Sequence, residues 1–120
     1  MLVVASVLML VLAIGHSLLG ERFILVPLSR QEVLPRLAGA TFPLATLRFA
    51  WHVTSMLALA IAAALAAFAF GSGTEAAVAA IGWCLIAASL LPLVFSRARH
   101  PSWIVLAAAG GLCVLWSALG

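Results

Sequence analysis

The sequence contains few charged residues and no lysine. Only 8% of its 120 residues are charged and 67% are hydrophobic, which leaves too few polar residues to cover a water-soluble domain of this size. The six basic residues are all arginines and give a sequence pI of about 10.3. Because they lie between hydrophobic stretches, we interpret them as loop residues and expect no nucleic-acid partner. The composition indicates an integral membrane protein that contacts the lipid bilayer.

Motifs of several enzyme and cofactor classes are also missing. There is no Gly-x-Ser-x-Gly turn, no phosphate-binding loop and no Cys-x-x-Cys-His sequence, which are signatures of acyl transfer, nucleotide binding and attached haem. Ser17 adjoins His16, but adjacent residues of a helix do not face each other. The sequence therefore favours a protein that is not an enzyme, and we predict no catalytic residue. Cys84 and Cys113 lie in hydrophobic stretches, where cysteine behaves as a small apolar residue.

Four hydrophobic stretches are each long enough to cross a membrane, since a hydrocarbon core of ~30 Å requires roughly 20 apolar residues in a helix. The predicted membrane helices are residues 2–20, 47–70, 76–95 and 101–119. The segment 21–46 is interrupted by prolines yet contains apolar residues, so we expect it to lie along the membrane surface. The predicted fold is an all-α bundle of four transmembrane helices in one domain, residues 1–120, with a short interfacial segment between the first two.

All the arginines lie at one end of the predicted helices. They are Arg22, Arg30, Arg36 and Arg48 around the first connection, and Arg97 and Arg99 at the third. The second connection, residues 71–75, and both termini carry no basic residue. Because cytoplasmic loops carry the excess of basic residues, we expect a multi-pass membrane protein whose arginine-bearing end lies in the cytoplasm; the resemblance described below implies a bacterial inner membrane. Both termini are expected on the periplasmic side.

Polar residues are predicted to gather one turn inside the arginine-bearing end. His16 precedes the predicted end of its helix by four residues and His52 follows Arg48 by four, so both lie ~6 Å deep. Arg48, His52 and Ser55 share one helix face. Glu21, at the predicted C-terminal end of the first helix, needs a cationic partner because the helix dipole disfavours negative charge there. The candidate ligand-binding residues are His16, Glu21, Arg48, His52, Ser55, Arg99 and His100.

Several functions suit these residues. Arginine, histidine and serine at the membrane interface suit an anionic amphiphile, such as a lipid headgroup or a quinone-like molecule. Helix faces of small residues also fit an accessory subunit of a larger membrane complex, or a homo-oligomer. Alternatively, His16 and His52 lie at matched depth and suit bis-histidine ligation of haem or a transition metal. A small transporter is a further alternative, although the first helix lacks the embedded glutamate of small multidrug exporters.

Two resemblances accompany these motifs. The segments HSLLGER (16–22), RFAWHVTS (48–55) and RHP (99–101) are similar to those of a family of small four-helix bacterial inner-membrane proteins. That resemblance implies the same topology and brings no established activity. The segment RHPSW (99–103) resembles a motif of the isoprenylcysteine methyltransferase-like and NnrU-type membrane proteins, which in the methyltransferases contributes to the cofactor site. We carry over no catalytic residue from this short match.

Overall fold

The computed structural model describes residues 1–30 and 42–119, and these fold into four long helices without a strand. The helices are α1 (Leu2–Arg30), α2 (Phe42–Ala69), α3 (Gly73–Phe95) and α4 (Ser102–Leu119). All four are long and apolar enough to cross a membrane. The architecture is that of an all-α, multi-pass membrane protein, as the sequence predicts.

The regular α-helical part of the first helix is Leu2–Gly20, as the sequence predicts, but the helix continues beyond Gly20. Gly20 has φ −62° and ψ −45°, which are ordinary α-helical angles, so it does not terminate the helix. Its small size serves packing instead, because a Cβ at this position would overlap the indole ring of Trp51 on α2. The glycine therefore marks a close helix–helix contact rather than a helix end.

The continuation of α1 changes the segment that the sequence predicts to be interfacial. After Gly20 the helix widens into a π-helical turn at Glu21–Leu25, in which the Val26 N–H donates to the Glu21 carbonyl. It continues as an α-helical stretch, Val26–Arg30, that contains Pro27 and reaches the last described residue before position 31. Of the segment 21–46, residues 21–30 thus belong to α1 and 42–46 to α2. Residues 31–41 lie outside the described residues.

The four helices lie side by side in chain order. The extensive contacts among the described residues join α1 to α2, α2 to α3 and α3 to α4. The Cα atoms occupy 51 × 29 × 13 Å, which fits a single row because three spacings of 8–10 Å span roughly 24–30 Å. The bundle is therefore open and one helix thick, with α1 and α4 at its two edges.

The interfaces along this row are built differently. The interface of α3 with α4 is centred on two glycines: a Cβ at Gly110 would lie 2.6 Å from the carbonyl oxygen of Gly82, and a Cβ at Gly82 would lie 2.9 Å from that of Gly110. Small residues let helix backbones approach closely, which drives packing where lipid supplies no hydrophobic force. The α1–α2 interface also contains close contacts and adds several side-chain hydrogen bonds between the two helices, most of them near the arginine-bearing end.

The turn from α2 to α3 is closed by a glycine-based helix cap. The Gly71 N–H donates to the Phe68 carbonyl at 3.2 Å, and the Ser72 N–H donates to the Ala67 carbonyl at 2.9 Å. This pair of bonds is the Schellman pattern, which requires a left-handed residue. Gly71 meets that requirement with φ +69°, and the turn holds α2 and α3 antiparallel.

Candidate functional site

An ion pair between Glu21 and Arg48 forms the centre of the polar cluster between α1 and α2. Arg48 Nη2 lies 2.5 Å from Glu21 Oε1, and Arg48 Nε lies 3.2 Å from Oε2. Two parallel bonds of this kind fix both position and orientation. The sequence predicts a cationic partner for Glu21, and Arg48 supplies it. Glu21 is the C-cap residue of the regular α-helix Leu2–Gly20, as predicted, and the helix then continues from it as a π-helical turn.

His52 lies beside this ion pair with both ring nitrogens in hydrogen bonds. Its Nε2 is 3.1 Å from Glu21 Oε2, and its Nδ1 is 2.7 Å from Ser17 Oγ. A carboxylate only accepts, whereas a hydroxyl can donate. We therefore assign the Nε2–H tautomer, in which His52 donates to Glu21 and the Ser17 hydroxyl donates to Nδ1.

His16 is held against α2 by three contacts. Its Nδ1 lies 3.0 Å from Ser55 Oγ. Its ring stacks on that of Trp51, with centroids 4.5 Å apart and planes 5° from parallel. The Trp51 indole N–H also donates to the His16 carbonyl at 2.8 Å. These contacts place His16 in the same α1–α2 interface as Glu21 and His52.

The connection from α3 to α4 has the same cap pattern as the α2–α3 turn but lacks glycine. The Arg97 N–H donates to the Val94 carbonyl at 3.3 Å, and the Ala98 N–H donates to the Leu93 carbonyl at 2.9 Å. Arg97 has φ +52° and Ala98 has φ +61°. Left-handed angles cost a non-glycine residue ~1–2 kcal/mol each. The backbone of this turn is therefore strained, and the turn fixes the backbone position from which the Arg97 side chain extends.

His100 stands apart from the other two histidines. Its Nδ1 accepts from the Ser102 hydroxyl at 2.8 Å and from the Ser102 N–H at 3.3 Å, at the start of α4. Its ring packs edge-on against Phe49, with centroids 5.1 Å apart. The two hydrogen bonds make His100 a cap for the start of α4. The contact with Phe49 places its ring next to α2 at the arginine-bearing end.

A cleft of about 350 Å³, here called the arginine cleft, opens between α2 and the α3–α4 connection. It is lined by Leu44, Ala45, Arg48, Phe95, Ser96, Arg97 and Arg99. Among the described residues, the only carboxylate that pairs with a basic group is Glu21, and its partners are Arg48 and His52. Arg97 and Arg99 are exposed and have no such partner in this part of the chain. Within residues 1–30 and 42–119, the cleft thus carries two arginines that form no ion pair.

A second cavity of about 350 Å³, here called the apolar groove, lies deeper along the same helices. It is lined by Ala13, Ile14, Ser17, Leu18, His52, Ser55, Met56, Leu59 and Leu91. His52 follows Arg48 by one turn on α2, and Leu91 precedes Phe95 by one turn on α3. Residues four apart share a helix face, so the arginine cleft and the apolar groove are neighbours, one helical turn apart along α2 and α3.

Two other described arginines, Arg22 and Arg30, do not belong to the lining of either cavity. Arg22 and Arg30 are exposed and line neither of them, and the Arg22 guanidinium lies 5.6 Å from the centre of the Phe23 ring. Arg36 lies outside the described residues. Arg22 and Arg30 thus provide a comparison for the arginines of the cleft, because they belong to the same end of the protein.

The hydrogen bonding of the histidines does not favour the predicted bis-histidine haem or metal site. Coordination by His52 would break its bond to either Ser17 or Glu21, because both ring nitrogens are engaged. His16 already uses Nδ1 with Ser55. Within residues 1–30 and 42–119, no group of three His, Cys, Asp or Glu side chains is arranged to hold a metal ion.

The structure brings together most, but not all, of the residues singled out in the sequence. His16, Glu21, Arg48, His52 and Ser55 meet between α1 and α2. Arg99 lines the adjacent cleft, whereas His100 caps α4. The candidate ligand-binding residues named from the sequence did not include Ser17, Trp51 and Arg97. Ser17 and Trp51 make their contacts to another helix, and the position of Arg97 depends on a strained turn. The sequence offered one signal, a large Trp51 side chain that could pack on a glycine of the neighbouring helix.

No protein-family model, no curated protein and no solved structure matches this chain. The likeness to small bacterial inner-membrane proteins stays a prediction. Any functional conclusion therefore depends on the geometry of the arginine cleft and the apolar groove.

Proposed function

We propose that this protein binds an anionic amphiphile at the cytoplasmic side of a bacterial inner membrane. The acidic headgroup occupies the arginine cleft and the apolar chain occupies the apolar groove. The observation that carries this proposal is that the two cavities are neighbours. The arginine cleft holds two arginines that form no ion pair among the described residues, and a groove lined mostly by apolar side chains lies one helical turn deeper.

The chemistry of each cavity supports one half of such a ligand. Guanidinium groups present fixed forks of donors that match phosphate and carboxylate oxygens. Arg97 and Arg99 are available for this, whereas Arg48 is shared with Glu21. In the groove, polar side chains come only from Ser17, His52 and Ser55, and the remaining lining suits a hydrocarbon chain.

An accessory-subunit role is the second candidate, and the open row favours it. In each of α1 and α4, only 6% of the residues in the membrane-spanning window are buried. Edge helices this exposed are available to neighbouring proteins or to lipid. A transporter has less support, because a row one helix thick encloses no path across the membrane among the described residues.

Lipid titration monitored by native mass spectrometry tests the binding proposal. Delipidated protein in detergent is titrated with phosphatidylglycerol and, in parallel, with zwitterionic phosphatidylcholine. We compare the double variant Arg97→Gln/Arg99→Gln with the control Arg22→Gln/Arg30→Gln, which removes the same charge outside the cleft. At roughly 1 kcal/mol for each arginine, the cleft variant is expected to bind phosphatidylglycerol about 30-fold more weakly.

The control variant is expected to retain most of its affinity. Equal losses in the two variants would show that binding follows net charge alone and would contradict the proposal. Equal affinity of the unmodified protein for both lipids would contradict it as well. Glycerol phosphate as a competitor separates headgroup recognition from recognition of the whole amphiphile, since it lacks the chain that the groove would hold.

A further inference from the structure

Ser17, His52 and Glu21 form a continuous chain of hydrogen bonds from a hydroxyl through an imidazole to a carboxylate. The first link is 2.7 Å and the second is 3.1 Å. This is the arrangement in which a base activates a serine nucleophile and a third group orients the base. The residues come from two helices and are 35 and 31 positions apart along the chain, so no local motif marks them.

We propose that Ser17 is a nucleophile for acyl transfer from an ester-linked amphiphile bound in the apolar groove. In this reaction His52 is the general base and Glu21 orients it. The inference rests on the proposed binding function and adds a substrate class to it: an anionic lipid whose acyl chain is joined through an ester.

The position of Ser17 agrees with this substrate. Ser17 and His52 both line the apolar groove, and His52 lies one turn, or ~6 Å, deeper than Arg48. In a glycerophospholipid the ester carbonyls also lie a few bonds deeper than the phosphate. A headgroup held in the arginine cleft would therefore bring an ester to the level of the Ser17 hydroxyl.

Ser17, His52 and water are sufficient for a two-step hydrolysis in which every proton is accounted for. Ser17 Oγ bonds to the ester carbonyl carbon while its proton moves to His52 Nδ1. The tetrahedral intermediate then releases the alcohol, which takes that proton and leaves an acyl ester on Ser17. Water from the membrane interface attacks this ester and gives its proton to His52, and the departing Ser17 oxygen takes that proton back. The products are a fatty acid and a lysolipid.

Two further contacts assist the charges that develop in this reaction. Glu21 accepts from His52 Nε2 and is itself fixed by Arg48, so it stabilises the imidazolium that forms after proton transfer. Ser55 is the other hydroxyl that lines the apolar groove. When His16 Nδ1 donates to Ser55 Oγ, the Ser55 hydroxyl proton is free for the oxyanion.

Labelling with an alkyl fluorophosphonate, read by intact mass and peptide mapping, tests the proposal on the purified full-length protein. We expect one label on Ser17 and none in Ser17→Ala. Ser6→Ala is the matched control, because Ser6 lies on the same helix and bonds only the Ala62 carbonyl. His52→Gln should slow labelling by 10²-fold or more, as expected for the loss of a general base.

A second nucleophile keeps the test decisive if Ser17→Ala folds poorly. Ser17→Cys should be alkylated by iodoacetamide faster than Cys84 or Cys113, and the additional His52→Gln change should remove that advantage. Absence of a Ser17 label together with absence of fatty acid release from phosphatidylglycerol would overturn the proposal. Phosphatidylglycerol binding that still depends on Arg97 and Arg99 would then leave the binding function standing, so the two failures are distinguishable.

Discussion

Replacing Gly110 by alanine is expected to destabilise the α3–α4 interface, whereas the same change at Gly111 is not. A Cβ at Gly110 would lie 2.6 Å from the Gly82 carbonyl oxygen and must move about 0.8 Å to reach the 3.4 Å of ordinary contact. The obstacle is backbone, so relief requires the two helices to separate. A Cβ at Gly111 would meet nothing within 4 Å.

The size of the effect follows from this separation. A gap of 0.5–1 Å forfeits roughly a quarter to a half of the dispersion energy of each affected atom pair, and overpacking of this kind costs ~1–3 kcal/mol. For a domain of this length we expect the Tm of Gly110→Ala to fall by about 5 °C or more. Gly111→Ala should match the unmodified protein or exceed it slightly, since alanine favours a helix more than glycine.

Thermal unfolding in detergent, followed with a thiol-reactive fluorophore, measures the difference in Tm between the two variants and reports on the α3–α4 interface itself. Cys113 on α4 is free and half-buried, and it lies beside Gly82 of α3, so opening of this helix pair exposes its thiol. Equal melting temperatures for Gly110→Ala and Gly111→Ala would refute the inference that these two helices are held by glycine contacts.

Two further predictions concern the arginine-bearing end. Glu21→Gln and Arg48→Gln should each lower the free energy of unfolding by roughly 2 kcal/mol, since each leaves a charged partner without its hydrogen bonds. The double variant should lower it by clearly less than the sum of the two single losses. Additive losses in chemical unfolding would show that the pair is not coupled. Ala98→Gly should stabilise the protein by ~1 kcal/mol, because it relieves a left-handed angle without changing charge; an unchanged or lower melting temperature would show that the turn is unstrained.

Hydrophobic length was the feature that sequence predicted best. The helices expected at residues 47–70, 76–95 and 101–119 appear as Phe42–Ala69, Gly73–Phe95 and Ser102–Leu119. These boundaries follow from where polar residues, glycine and proline interrupt apolar runs. The regular α-helix of α1 does end at the predicted Gly20, but the sequence did not predict its continuation to Arg30 or that Gly20 accommodates Trp51 from another helix.

The site was predictable in its depth but not in its pairing. Counting residues from the arginines places His16 and His52 at one level, and the structure brings both into the α1–α2 interface. Helical periodicity gives the faces of a single helix only. It does not reveal that His52 faces Ser17 or that Arg97 occupies a left-handed position, since those features depend on how two helices or a turn meet.

The single-layer arrangement of the helices has a consequence for how a ligand reaches the apolar groove. Ile14 and Leu18 line the groove and have 52% and 66% of their surface exposed, so its open side faces the acyl chains of the bilayer. An amphiphile would enter by lateral diffusion, without a gate to open. Occupancy would then follow the mole fraction of that amphiphile in the membrane rather than its concentration in water, and even a weak site would be filled by an abundant lipid.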